Sequence, residues 1–114
     1  MATTTTGHEI IFPQGFDARW EAEMTDKGYL DDVTVRFEDG SRFRVSFIDP
    51  DRLKQDLQRE TESGSPYFAE PGLIVVPRVT RESIRRAVGG LAGEDFFKSL
   101  APCNGWLDAQ APSK

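Results

Sequence analysis

The most constraining feature of this sequence is an alternation of apolar and polar residues on both sides of an acidic turn. The alternating apolar residues are Val33, Val35, Phe37, Phe43, Val45 and Phe47. Because neighbouring strand residues point to opposite faces, this pattern predicts a β-hairpin with one buried face. Since the buried positions on both arms are odd-numbered, the loop must hold an odd number of residues. We therefore expect a three-residue loop over 38–40, closed by Gly40 in the left-handed region, that pairs Val35 with Phe43.

The segment from Phe16 to Met24 carries two patterns at once. Phe16, Trp20 and Met24 are spaced by four, as on one face of a helix, yet apolar residues also occupy every second position, as in a strand. A loop over 25–28 leading into an antiparallel partner would place all three large side chains on the buried face. We favour the strand on this ground, and the good helix formers of the segment keep the helix as the alternative.

Shorter signals predict the elements on either side of the hairpin. Residues 10–12 form a short apolar run that we assign to an edge strand. Asp49 followed by Pro50 is typical of a helix start, so we expect a helix over 50–62 that Gly64 terminates. Residues 73–76 have no polar side, which predicts a strand covered on both faces that the helix connects as a parallel neighbour.

The last third of the chain predicts two helices. Thr80 is a suitable N-cap for a helix whose apolar face holds Ile84, Val88 and neighbouring residues, and glycines at 89–90 weaken its end. A short final helix over 94–100 would bury Phe96 or Phe97. The predicted fold is therefore α+β in the order β-β-β-α-β-α-α, with an antiparallel meander, a fourth strand after a crossover helix, and helices mainly on one face.

The 114 residues suffice for one domain, which we place at 10–107, between a flexible arm at 1–9 and a flexible tail at 108–114. The chain has one cysteine, Cys103, which cannot form an internal disulfide, so a reducing compartment fits best. No signal peptide or membrane span is recognisable, and we expect a soluble cytoplasmic protein.

The net charge of −5 disfavours nonspecific attraction to nucleic acid or to an anionic membrane and favours neutral or basic partners. A Cys-His nucleophile would have to combine Cys103 with His8, both in predicted terminal segments without rigid support. The sequence has neither a cysteine and histidine cluster nor a phosphate-binding glycine loop. We therefore expect no catalytic residues, no metal and no cofactor.

Two groups of residues are candidates for binding. Arginines supply ten of the fourteen basic residues, and their planar forks can grip carboxylates or phosphates. Aromatic residues in a proline-bounded loop are typical of interfaces, including self-association. The candidate residues are Arg36, Arg42, Arg44, Arg78, Arg81, Arg85, Tyr67 and Phe68. The competing interpretation is that the arginines are a solvated surface paired with nearby acids and that the aromatics cover the sheet.

Small size, acidity and the missing catalytic groupings favour a non-enzymatic protein-interaction module, such as an adaptor, an inhibitor or an immunity-type protein with a basic partner. The first alternative is anion or nucleic-acid binding through the arginine clusters. The second alternative is a small enzyme that uses carboxylates in a groove between the sheet and the helices.

Overall fold

A four-stranded mixed sheet and three helices make up the part of the chain that the computed structural model describes, residues 7–94 and residue 97. The elements in chain order are β1 (His8–Ile11), α1 (Ala18–Lys27), β2 (Tyr29–Phe37), β3 (Arg42–Ile48), α2 (Pro50–Glu62), β4 (Leu73–Val75) and α3 (Arg81–Gly93). The α+β class predicted from the sequence is confirmed.

The strands lie in the sheet in the order β1-β2-β3-β4. β1 is antiparallel to β2, β2 is antiparallel to β3, and β4 joins β3 in parallel after α2. The predicted edge strand is confirmed, although it begins at His8 and ends at Ile11. His8 and Glu9 consequently belong to the sheet and not to the flexible arm predicted over 1–9.

The hairpin between β2 and β3 has the predicted register and loop. Val35 pairs with Phe43, and the N–H of Phe37 donates to the carbonyl of Ser41 at 2.9 Å, which leaves a three-residue loop. Gly40 adopts φ 92° and donates its N–H to the carbonyl of Phe37, so a glycine fills the left-handed position that closes this type of turn.

The strand predicted over 16–24 is wrong, because this segment contributes to helix α1. The side chain of Asp17 caps the helix by accepting from the N–H of Trp20 at 2.9 Å. Gly28 ends the helix with φ 70° and donates its N–H to the carbonyl of Met24. The two caps and the spacing of four together favour the helix. β1 occupies the position beside β2 in which the predicted strand would have lain.

One face of the sheet carries the hydrophobic core, and α1 and α3 cover it. Met24 of α1 and Ile84 and Val88 of α3 are almost completely buried against the inward residues of the strands. Phe97 is 3% exposed in the same cluster, as predicted for Phe96 or Phe97. Except for Glu94 and Phe97, the final helix predicted over 94–100 lies outside the described residues, as does the tail at 108–114.

The other face of the sheet, which we call the outer face, is partly covered by α2. This helix has the predicted bounds, and the Asp49 carboxylate caps it by accepting from the N–H of Arg52 at 2.8 Å. No residue of α2 belongs to the core cluster; instead, the guanidinium of Arg52 lies over the ring of Tyr29, 5.2 Å from its centroid. Tyr29 pairs with Ile48 of β3. Ile48 is fully buried but, like the residues of α2, does not belong to the core cluster.

Two details of β4 and α3 differ from prediction. Val75 is 51% exposed, so the prediction of a strand covered on both faces is wrong. β4 is a three-residue strand that pairs with β3, and α2 leaves Val75 open to solvent. Thr80 caps α3 as predicted, but the helix continues through Gly89 and Gly90 to Gly93.

No helix in residues 7–94 is both long and apolar enough to cross a membrane.

Candidate functional site

The outer face of the sheet is open to solvent on the side away from α2. Along β2 and β3, buried residues such as Val35 and Val45 alternate with polar residues, which the period of two places on the outer face. The register of β1 adds two further residues, because Glu9 pairs with Arg36 and Ile11 pairs with Thr34. We call this surface the open patch; it consists of Glu9, Ile11, Thr34, Arg36, Arg42 and Arg44.

The open patch contains three of the predicted binding residues. Arg36, Arg42 and Arg44, which we call the arginine triad, are all exposed. Arg36 and Arg42 are direct partners across the two strands, and Arg44 lies two residues along from Arg42 on the same face. The β-carbons of the triad are therefore about 5–8 Å apart, so their guanidinium groups can reach one common ligand.

The triad is only partly neutralised by neighbouring acids. Arg36 forms an ion pair with Glu9 of β1, and Arg44 lies 3.7 Å from the carboxylate of Asp32. Arg42 forms neither an ion pair nor a side-chain hydrogen bond with any residue in the described part of the chain. Two like charges directly opposite each other destabilise a strand pair, so Arg42 opposite Arg36 carries a small cost in folding free energy.

A β-bulge brings Asp32 to the triad. The register shifts between Leu30 and Val33, so Asp31 and Asp32 together occupy the stretch of β2 that faces Ser46. Asp32 has φ 61°, a left-handed conformation that aspartate tolerates better than most residues. The bulge was not predicted from the sequence; its signal is two adjacent aspartates, which are poor strand formers and interrupt the alternation of apolar and polar residues along β2.

The second group of predicted arginines is not one site. Arg81 lies 4.8 Å from the ring centroid of Phe12 and 5.0 Å from that of Phe16, and it forms a 3.2 Å ion pair with Glu21. Its charge therefore fastens α3 to α1 and to the loop before it, and Glu21 offsets the cost of an arginine at a helix start.

Arg78 and Arg85 remain as exposed arginines outside the open patch. Arg78 follows β4, and Arg85 lies on α3, the helix that covers the core. Neither forms an ion pair with a residue in 7–94. A single pair joins α3's Arg86 to Glu82 at 3.8 Å, as expected for a solvated helix face.

The predicted aromatic pair lies in the loop between α2 and β4. Tyr67 is 65% exposed, the largest exposed fraction among the large hydrophobic residues described, whereas Phe68 is half-buried. The hydroxyl of Ser65 donates to the carbonyl of Tyr67 at 2.9 Å and shapes this loop. One exposed ring is too small a surface to define an interface by itself.

A polar cluster that the sequence analysis missed ties the same loop to the sheet. The hydroxyl of Tyr29 donates to the carboxylate of Glu70, with distances of 2.8 and 3.0 Å to its two oxygens. Burial and the hydrogen bond to Glu70 raise the pKa of Tyr29 to about 12. At neutral pH the phenol is thus protonated and donates its hydrogen bond to Glu70. This structural role is not visible in the sequence, because the two residues meet only in the tertiary fold.

The described residues offer little for metal or carboxylate chemistry. No group of three or more histidine, cysteine, aspartate or glutamate residues in this part of the chain could hold a metal ion. The buried carboxylate, Asp56, is held by Arg52 and Arg59 at 3.1 Å each. The ring of His8 lies 6.1 Å from that of Phe37, and Cys103 lies outside the described residues, so their pairing stays untested.

The geometry therefore defines a small α+β protein with one open, arginine-bearing sheet surface. Comparison with protein-family models, with curated proteins and with solved structures finds no match for this chain.

Proposed function

We propose that this chain is a non-enzymatic protein-interaction module, an adaptor or inhibitor, that docks its partner on the open patch of the sheet. The observation that carries the proposal is the triad of exposed arginines, in which Arg42 lies directly across from Arg36 and forms no ion pair within residues 7–94. Arginine is enriched in interfaces, where its planar fork forms paired hydrogen bonds. Adjacent like charges carry a cost to folding, and a partner that places an opposite charge beside them would offset it.

The composition of the patch supports a protein as the partner. Ile11 is 37% exposed beside Thr34, and it gives the patch an apolar contact next to the charged groups. Such a mixture of one apolar anchor and surrounding polar groups is typical of non-obligate protein interfaces. The strands also hold the side chains on a rigid support, which lowers the entropy that binding costs.

Site-specific crosslinking tests the proposal. We expect benzoylphenylalanine at Thr34, in the middle of the patch, to give one saturable crosslinked protein in a native lysate. Excess unlabelled wild-type chain should suppress this product, and excess Arg42→Glu chain should not. The same photoreactive group at Arg85, on the opposite side of the molecule, is the matched control. Crosslinking that is equal at both positions, or not saturable at Thr34, would contradict the proposal.

The alternatives are tested separately. Nucleic-acid binding through the arginines predicts retention on heparin that weakens steeply with salt. A carboxylate-dependent enzyme predicts turnover in a hydrolase screen with divalent metals. The basic partner expected from the net charge of −5 stays a prediction, although the charge of the open patch itself favours an acidic contact.

A further inference from the structure

We infer that the open patch binds an extended acidic segment of the partner protein, with carboxylates on alternate residues. This inference rests on the proposed function and specifies the chemistry of the partner. It is carried by the position of the triad, with Arg42 and Arg44 on one face of β3 and Arg36 directly across from Arg42.

The spacing of the arginines selects an extended ligand. Two residues of a strand rise about 7 Å, so Arg42 and Arg44 present their charges at that interval. An extended peptide carries alternate side chains on one side at the same interval, and its carboxylates would meet both forks in register. A helical segment carries neighbouring side chains on one face three or four residues apart and would match this interval less well.

Within the triad, Arg42 is the arginine that is best placed to pair with a carboxylate of the ligand. Arg36 and Arg44 already have Glu9 and Asp32 as partners, whereas Arg42 has no ion-pairing partner within residues 7–94. A ligand carboxylate beside Arg42 would also offset the repulsion between the positive charges of Arg42 and Arg36. This arginine should therefore contribute most to binding and least to folding.

The same surface is poorly suited to nucleic acid. Its residues include no aromatic side chain on which a base could stack, and Glu9 and Asp32 lie among the arginines. A nucleic acid carries charge along its whole length and is repelled by a chain with a net charge of −5. A short peptide with two or three carboxylates can confine its charges to the patch.

Two peptides of equal composition test the inference in the full chain. One carries the core Glu-Thr-Glu-Thr-Glu and the other the core Glu-Glu-Thr-Thr-Glu, in which no two glutamates are two residues apart. Each has a fluorescent label, and binding is measured by anisotropy in about 50 mM salt, where screening is weaker than at physiological ionic strength. We expect the alternating peptide to bind about fivefold more tightly, because only its carboxylates match the interval of β3.

Matched arginine variants complete the test. Arg42→Gln should weaken binding of the alternating peptide about tenfold, the loss expected for one charge-assisted contact at a surface. Arg85→Gln, which removes an equally unpaired arginine outside the open patch, should change it less than about twofold. Unfolding by denaturant should confirm that both variants remain folded.

The possible outcomes are distinguishable. Equal binding of the two peptides, equal losses in the two variants, or tighter binding of a single-stranded oligonucleotide that also depends on Arg42 would each overturn the inference. If neither peptide binds while the Thr34 crosslink stays saturable, the inference of an acidic ligand is wrong, but the proposed docking surface still stands. If the Thr34 crosslink is also absent, the proposed function fails with it.

Discussion

The carboxylate of Asp49 occupies the space that a β-carbon on Gly28 would need. An added β-carbon would lie 2.5 Å from Oδ2 and 2.7 Å from Oδ1 of Asp49. The carboxylate cannot easily retreat, because Oδ1 accepts the N–H of Arg52 and the backbone N–H of Asp49 donates to the carbonyl of Gly28 at 3.0 Å. The end of α1 and the start of α2 therefore share one junction.

Replacing this glycine tests the junction. Gly28→Ala should lower the free energy of unfolding by about 2 kcal/mol, since alanine is strained at φ 70° and also displaces the N-cap of α2. Gly64→Ala is the matched control, because Gly64 has φ 99° but open space around it, and it should lose about 1 kcal/mol. Equal losses in urea unfolding would show that Asp49 is free to move.

Ionisation of Tyr29 should be visible in ultraviolet titration. Tyr29 and Tyr67 are the two tyrosines of the chain, so Tyr67→Phe leaves a single phenol. We expect its tyrosinate absorbance to rise with a midpoint near pH 12, because burial and the hydrogen bond to Glu70 raise the pKa of Tyr29 to about 12. A midpoint near the ordinary value of 10.0 would contradict the buried hydrogen bond.

The same shift predicts how stability depends on pH. The folded pKa of about 12 is above the unfolded value of 10.0, so the stabilising contribution is complete below pH 10 and is lost as pH rises from 10 to 12. Tyr29→Phe should remove this alkaline loss, and denaturant midpoints of both proteins across that range measure it. An identical alkaline loss in the variant would assign the effect to other groups.

Arg81 should matter for stability far more than the other arginines of its segment. Arg81→Met keeps an unbranched apolar stem but removes the charge over Phe12 and Phe16 and the ion pair with Glu21, with an expected loss of about 1–2 kcal/mol. The exposed Arg85 forms no ion pair within residues 7–94, so Arg85→Met should change stability by less than about 0.5 kcal/mol. Thermal and urea unfolding of both variants provide the comparison.

A double-mutant cycle between Arg81 and Glu21 separates the two contributions. The coupling energy for the pair should be at most about 1 kcal/mol, as for other partly exposed ion pairs, and the remainder belongs to the aromatic rings. A coupling that accounted for the whole loss in Arg81→Met would contradict the role of Phe12 and Phe16.

Replacing Arg42 should weaken binding of the partner without lowering the stability of the fold. Arg42→Thr removes a like-charge contact with Arg36 and introduces a better strand former, so the free energy of unfolding should be unchanged or about 0.5 kcal/mol higher. Arg36→Thr loses the ion pair with Glu9 and serves as the comparison. A destabilised Arg42→Thr chain would mean that Arg42 serves the fold.

The elements that were predicted correctly carry their own local signals. The hairpin is encoded by parity together with Gly40, and α2 by Asp49 and Pro50, so neither needs knowledge of distant contacts. The failure at α1 has a different cause. Phe16, Trp20 and Met24 satisfy both periods, and a glycine at position 28 suits the end of a hairpin loop as well as the end of a helix. Asp17, whose side chain caps α1, is the local signal that was not recognised.

The site was harder to predict than the fold because an arginine's role depends on what the fold places beside it. The sequence placed Arg36, Arg42 and Arg44 on one face correctly, since strand alternation alone determines it. It could not separate Arg81 from Arg85, because the partners of Arg81 lie in α1 and in the preceding loop, about sixty residues away in sequence. Tyr29 and Glu70 likewise meet through tertiary contact.

The central position of β2 and β3 has a consequence for how the protein reaches its native state. These two strands are neighbours in sequence and in the sheet, while β1 is separated from its partner by α1 and β4 from its partner by α2. Local pairing closes a short chain loop and forms quickly, whereas the outer pairings must close longer ones. The hairpin that bears the arginine triad is therefore expected to nucleate folding, with both edges of the sheet added afterwards.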